Sequence, residues 1–255
     1  MQYSKAVASL SSLLLFLHTP HSAAAFYHAT DAETSEALVA SYPDLLEGSD
    51  RAGNPLILCP FLRMLERSGR LDDVLDSDTA SVKTSDLKDA AEEFGCDSTT
   101  GCGPVIDLVS LGQSDSFFSW LNPFETRQVD LERLWDAPPV SHECGFTFEK
   151  GLGEEGVSAT RLESTLAKLL AKANASNELV YQDILDVKLA ICEEEGVEIT
   201  GAGSVEAQLI FAYLGGIERG FVDYSDVEGF LQVNNVMPAV KAQKEITALY
   251  LLQVN

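Results

Sequence analysis

The sequence is poor in basic residues: 17 lysines and arginines stand against 40 aspartates and glutamates, which gives a formal net charge of −23. A chain this acidic is repelled by nucleic acids and by anionic membrane surfaces, so we expect neither as a partner. No stretch of the sequence is long and apolar enough to span a bilayer. The strict alternation of apolar and polar residues that marks half-buried β-strands is almost absent, which argues against an all-β fold.

Motifs of several other enzyme and binding classes are also missing. His142-Glu143 is not followed by a second histidine at helical spacing, which excludes the common zinc-protease motif. The acidic stretches do not match the calcium-binding loop of an EF-hand. There is no glycine-rich loop for a phosphate group and no Gly-x-Ser-x-Gly nucleophile elbow, so nucleotide-binding and α/β-hydrolase chemistry are not expected.

The N-terminus has the three parts of a secretory signal peptide. Lys5 supplies the positive charge, residues 10–17 form a short apolar run, and the small residues at 23–25 offer a cleavage site. We therefore predict a signal peptide over residues 1–25 and a folded domain over 26–255, in a secreted, extracellular protein. The alternative is a short uncleaved anchor.

Two other features fit an extracellular protein. The acidic charge would keep the domain soluble. Asn174-Ala175-Ser176 is an acceptor triplet for N-linked glycosylation and lies in a polar stretch, so we expect a glycoprotein if the host is eukaryotic.

The five cysteines leave one thiol unpaired in an oxidising compartment. Cys96 and Cys102 bracket a short polar loop and could close a small disulfide ring, while Cys144 could pair with Cys192. Cys59 would then be the free thiol. Sequence alone does not fix disulfide connectivity, so each of the other four cysteines remains an alternative for the unpaired position.

Apolar residues recur at helical spacing along most of the chain, and glycine or proline ends many of these segments. With 255 residues and 45% apolar content, the chain is large enough for one domain with a real core. The pattern predicts an all-α fold, a single domain of roughly eight to ten helices. The predicted helices cover residues 35–41, 60–68, 84–94, 104–111, 130–135, 158–173, 181–194, 204–214, 223–233 and 240–252.

The segment that begins at Cys59 carries the most specific signal. Pro60 is favoured at the first position of a helix, because the N–H group that proline lacks would have no helical partner there. Leu62 and Leu65 fall on one helical face, and Gly69 suits the left-handed conformation that ends a helix. Cys59 is therefore expected at a helix N-terminus, where backbone N–H groups and the helix dipole lower the pKa of a thiol and favour a metal-ligating thiolate. A buried structural cysteine is the alternative.

The full spacing resembles the proximal motif of the haem-thiolate peroxidases, the family of fungal chloroperoxidases and unspecific peroxygenases. The resemblance implies that Cys59 is the axial ligand of haem b, with Pro60 beside the cofactor and the helices arranged around a haem pocket. A thiolate ligand pushes electron density toward the iron and favours cleavage of the O–O bond. Weaker similarity extends over most of residues 55–240. The matching residues are Cys59, Pro60, Leu62, Leu65, Gly69 and Leu71.

The same resemblance implies a distal acid–base residue that moves a proton between the two oxygen atoms of peroxide. Glu206 is the first candidate, because it stands ahead of an apolar helical run as the glutamate of the family does. His142, with Glu143, is the second, since Ser141-His142-Glu143 is similar to the Glu-His-Asp motif of the family, with serine and glutamate in the outer positions. His142 would support Glu206 or act as the acid–base itself. General acid–base catalysis is typically worth about 10²–10⁴-fold in rate.

A further cofactor, Mg²⁺, is suggested by the segment around residue 158. Glu154, Ser158 and Arg161 keep the spacing of a family segment that binds magnesium next to a haem propionate, although no histidine or aspartate precedes them here. Oxygen ligands suit this ion, so Glu154 and Ser158 are the expected ligands. A solvated acidic loop followed by a helix N-cap is the alternative.

The aromatic residues expected near a substrate channel are Phe117, Phe118, Phe146 and Phe148.

The predicted function is that of a secreted peroxidase or peroxygenase, a monomer that uses hydrogen peroxide to oxidise or oxygenate small organic molecules. The first alternative keeps the fold and drops the catalysis, as in a non-catalytic haem-binding protein or a haem-free secreted interaction protein. The second is a disulfide-stabilised helical extracellular protein in which Cys59 is only structural. A haem absorption band separates the haem-free alternatives from the others, and peroxide-dependent turnover separates an enzyme from a passive binder.

Overall fold

The computed structural model describes residues 38, 40–45, 49–114, 127–137, 143–233 and 246–247. Over these residues the protein is mostly helical, so the predicted all-α class is confirmed. Two pairs of very short strands accompany the helices. The α-helices are α1 (Pro60–Arg67), α2 (Thr84–Glu93), α3 (Cys102–Gly112), α4 (Ala159–Lys172), α5 (Tyr181–Glu194), α6 (Gly201–Tyr213), α7 (Gly216–Arg219) and α8 (Tyr224–Leu231).

The strands were not predicted, because two or three residues are too few to show a period of two. Strand β1 (Ser81–Lys83) pairs antiparallel with β2 (Gln128–Asp130), and β3 (Glu178–Leu179) pairs antiparallel with β4 (Val222–Asp223). The segment predicted as a helix at 130–135 forms a tighter 3₁₀ helix at Leu131–Asp136. Two further 3₁₀ turns are Pro43–Leu45 and Gly153–Glu155.

Side-chain N-caps begin two of the described helices, α4 and α6. Helix α4 begins after Ser158, whose side-chain oxygen accepts a hydrogen bond from the backbone N–H of Arg161, as an N-cap should. Helix α6 begins earlier than the predicted residue 204, because Thr200 accepts a hydrogen bond from the N–H of Gly203 and so caps the helix three residues ahead. The two glycines of this first turn have low helix propensity and hide the start in the sequence.

One hydrophobic core joins the helices into a single domain. In its centre, the ring of Tyr213 on α6 packs 5.3 Å from Phe61 on α1 and 5.3 Å from Phe230 on α8. The Tyr213 hydroxyl approaches the sulfur of Met64 at 3.8 Å. Met64, Tyr213 and Phe230 are buried, while Phe61 is partly buried. Burying a large apolar side chain contributes about 1.5–3 kcal/mol, so these contacts hold α1 against α6 and α8.

The cysteines form the two pairs that the sequence suggested, with Cys59 left over. Cys96 and Cys102 lie at disulfide distance with their Cα atoms 5.6 Å apart, and Cys144 and Cys192 with theirs 4.9 Å apart. The second pair fastens the loop after residue 143 to α5. Cys59 is the free thiol among the described residues, which include all five cysteines.

Some sequence predictions lie outside the described residues, or mostly so. The signal peptide over 1–25, His142, and the aromatic pair Phe117 and Phe118 are among them, and most of the predicted helices at 35–41 and 240–252 falls there as well. In the part of the chain that is described, no helix combines the length and the apolar character needed to cross a bilayer.

Candidate functional site

Cys59 occupies the N-cap position of α1, and Pro60 is the first helical residue, as the sequence predicts. The Cys59 side chain is half-buried. Burial raises the pKa of the Cys59 thiol above its ordinary value, and this effect outweighs the backbone N–H groups of Leu62 and Phe61, which lower it. The expected helix N-terminus is therefore confirmed, but the expectation of a net lowering of the thiol pKa is wrong, because the loss of hydration is larger than the gain from the helix end.

Arg63 fixes the loop that carries Cys59. Its guanidinium group is fully buried and donates hydrogen bonds to the backbone oxygens of Ile57 at 2.7 Å and Leu231 at 2.8 Å. Burial lowers the pKa of Arg63 to about 10, while the nearby Cys59 raises it. The same side chain thus ties the residues before Cys59 to the end of α8 and brings a positive charge close to the sulfur.

The opposite side of this loop rests on the segment before α4. The backbone N–H of Val157 donates to the oxygen of Pro55 at 2.8 Å. Gly156 allows this close approach, since a Cβ atom there would lie 2.5 Å from the Pro55 oxygen, and its φ of 82° is one that other residues rarely adopt. The loop that leads to Cys59 is therefore tied to α8 through Arg63 and to the 153–158 segment through Pro55.

Glu206 lies on the second turn of α6 and forms an ion pair with Lys188 of α5. The Glu206 side chain is 15% exposed, whereas the Lys188 side chain is completely buried. Four effects act on the pKa of the Cys59 thiol. Burial raises it most, the backbone N–H groups at the start of α1 and the charge of Arg63 lower it, and the negative charge of Glu206 raises it further. Cys59 and Glu206, predicted separately from the sequence, are therefore close enough in the fold for their charges to interact.

Lys188 was missed in the sequence, although a signal was present. It stands four residues after Ile184 and three before Ile191, and both isoleucines are fully buried. A lysine on the apolar face of a helix is unusual, because lysine is almost never fully buried unless it is paired. Its ammonium group also lies 4.8 Å from the ring centroid of Phe146, a cation–π arrangement.

The other predicted site residues are less closely connected to this pair. Glu143 is 60% exposed and lies 3.8 Å from the ammonium group of Lys150. Its partner in the predicted motif, His142, lies outside the described residues. Phe146 and Phe148 are buried, and Phe146 contacts Lys188 as described above. Their role near a substrate channel stays a prediction, as does the catalytic role of Glu143.

The proposed magnesium ligands have ordinary structural surroundings. Glu154 is exposed in the 3₁₀ turn at Gly153–Glu155. Ser158 caps α4 and donates its hydroxyl hydrogen to the carboxylate of Glu149 at 2.9 Å. Within the described part of the chain, no group of three or more His, Cys, Asp or Glu side chains is arranged to hold a metal ion. A magnesium site at Glu154 and Ser158 therefore stays a prediction.

No protein-family model matches the sequence, and a search among curated proteins finds no match. The resemblance to haem-thiolate peroxidases consequently depends on the residues of the Cys59 motif and on the weaker similarities around it. Two observations are independent of that motif: the position of the free Cys59 thiol at the start of α1 and the ion pair between Glu206 and the buried Lys188.

Proposed function

We propose that this protein is a secreted haem-thiolate peroxidase or peroxygenase that uses hydrogen peroxide to oxidise or oxygenate small organic molecules. The observation that carries this proposal is a free thiol at the N-terminus of α1 that lies within electrostatic range of a mostly buried carboxylate, that of Glu206. When bound, a haem group with a thiolate ligand supplies the cleavage of the peroxide O–O bond and the oxidation of the substrate.

Three features of Cys59 fit an axial haem ligand. It forms no disulfide, it is only half-buried, and two backbone N–H groups in the first turn of α1 favour its anionic form. The positive charge of Arg63 acts in the same direction. The raised thiol pKa does not oppose ligation, because a coordinating metal ion deprotonates a thiol outright.

Glu206 would act as the acid–base residue. The ammonium group of Lys188 forms an ion pair with its carboxylate and would hold that carboxylate in place to accept a proton from hydrogen peroxide. Glu206 then returns that proton to the oxygen atom that leaves as water. In the peroxygenase case the overall change is one peroxide and one C–H bond converted to one C–OH group and one water, so no further reductant is required.

A haem-free helical protein of the same fold is the second candidate. It is favoured by the raised pKa of Cys59, because a raised pKa is typical of a buried structural cysteine that binds no metal. Such a protein would show no haem band when purified with haem available during expression.

Turnover in the presence of peroxide tests the proposal. The secreted protein should be expressed with haem available, and the peroxide-dependent oxidation of a small phenol should be measured for the natural protein and for Cys59→Ala. We expect Cys59→Ala to lose this activity. The matched control is the double variant Cys96→Ala/Cys102→Ala, which removes two cysteines that pair with each other and not with Cys59, and which should keep the activity. Equal haem content and turnover in Cys59→Ala and the natural protein would contradict the assignment.

A further inference from the structure

We propose that Lys188 is the positioning residue for Glu206, so that its buried ammonium group holds the Glu206 carboxylate in the orientation needed to take a proton from peroxide. This role rests on the proposed peroxidase function. Lys188 lies outside the Cys59 motif and reaches Glu206 across the contact between α5 and α6.

The path of the Lys188 side chain across α6 supports this role. A Cβ atom at Gly203 would lie 3.2 Å from the Lys188 Cε atom, so the missing side chain at 203 leaves room for the lysine to run over the first turn of α6. The Lys188 ammonium nitrogen then reaches the Oε2 atom of Glu206, three residues further along the same helix. The ring of Phe146 lies near the ammonium group at 4.8 Å and limits its movement.

Stability alone does not explain a charge at this position. The buried residues one turn away on the same face of α5 are Ile184 and Ile191, and an apolar side chain at 188 would continue that surface. Buried ion pairs are often no more stabilising than apolar residues of similar volume, because the loss of hydration offsets the attraction. A buried lysine that contacts a candidate acid–base residue is therefore better explained by the control it exerts on that residue.

A purely structural tie between α5 and α6 would behave differently from a positioning residue. Loss of a tie lowers the stability and the haem content of the preparation but leaves turnover per bound haem unchanged. Loss of a positioning residue lowers kcat per bound haem and leaves the KM for the organic substrate nearly unchanged, because Lys188 is not expected to contact that substrate.

The test compares haem-loaded Lys188→Met and Lys188→Arg with the natural protein. We expect Lys188→Met to keep the haem spectrum and to lose about 10- to 100-fold in kcat per haem, with KM changed by no more than about twofold. Lys188→Arg, which keeps the positive charge, should recover part of that loss. The matched control is Lys172→Met, which removes an exposed ion pair between α4 and Asp186 of α5 and should leave kcat unchanged.

Unchanged kcat per haem in Lys188→Met would overturn this role and leave the peroxidase proposal standing. If Lys188→Met does not fold, Lys188→Gln takes its place, with the same expected loss and the same contradicting result. A natural protein that binds no haem, or that binds haem without peroxide turnover, would overturn the peroxidase proposal and this role with it. The two failures are therefore distinguished by the behaviour of the natural protein.

Discussion

The ion pair between Lys188 and Glu206 gives the sharpest prediction for stability. The Lys188 side chain is completely buried, while Glu206 is 15% exposed. The two partners should therefore be unequal when each is removed alone. Glu206→Gln strands an ammonium group that water cannot reach, whereas Lys188→Met leaves a carboxylate that keeps some contact with solvent.

The magnitudes follow from this difference in exposure. Removing one partner of a buried ion pair typically costs about 3–5 kcal/mol, and we expect Glu206→Gln to fall in that range. Lys188→Met should cost about 1–3 kcal/mol, since the remaining carboxylate is partly hydrated. The double variant leaves no stranded charge, so its cost should be at least about 2 kcal/mol less than the sum of the two single costs.

Urea unfolding at pH 7 measures these free energies, with the disulfides intact in all four proteins. Circular dichroism reports the loss of helix, and one cooperative transition in each variant is required for the comparison. Single costs that add up to the double cost within about 0.5 kcal/mol would contradict a coupled ion pair, and so would a Lys188→Met cost clearly larger than that of Glu206→Gln.

Other predictions concern the stability contributed by the disulfides, by Asp72 and by Gly156. The double variant Cys144→Ala/Cys192→Ala opens a loop with a sequence separation of 48, so it should lose about 4 kcal/mol in urea unfolding, against about 2 kcal/mol for the shorter bridge with a separation of 6. Equal losses would argue against loop length as the cause. The hydrogen bond from Arg51 lowers the pKa of Asp72, so the contribution of Asp72 is present above the unfolded pKa near 4 and is lost as the pH falls through the lower folded value. Asp72→Asn should therefore reduce the drop in unfolding free energy between about pH 5 and pH 2 by at most about 1 kcal/mol, because this pair is exposed; an unchanged acid profile would contradict the linkage. Gly156→Ala should destabilise the protein by about 1–3 kcal/mol, since it forces a left-handed residue against a backbone oxygen, and a neutral effect would contradict that geometry.

The sequence was sufficient for features that depend on local spacing. Helical periodicity and caps such as Ser158 predicted most of the helices that the structure describes, and Pro60 placed Cys59 at the start of α1. The cysteine count left one free thiol, and the Cys59 motif indicated which one it is. These signals are contained within a few neighbouring residues, so no tertiary information was needed.

Features that arise from packing were not predictable in the same way. The ion pair between Lys188 and Glu206 joins two helices, and only the burial of Lys188 on an apolar face hinted at it. The direction of the Cys59 pKa depends on how much solvent the fold removes, which competes with the local helix end. The start of α6 depends on Thr200 as a cap in a segment whose glycines conceal the helix.

The central claim is that Cys59 ligates haem iron through its sulfur. The most direct measurement is the absorption spectrum of the reduced protein under carbon monoxide, recorded for the natural protein and for Cys59→His, which offers a nitrogen ligand instead. Thiolate ligation predicts a strongly red-shifted Soret band in the natural protein and its loss in Cys59→His. A well-folded natural protein without any haem band, or a Soret band that is the same in both proteins, would contradict the claim.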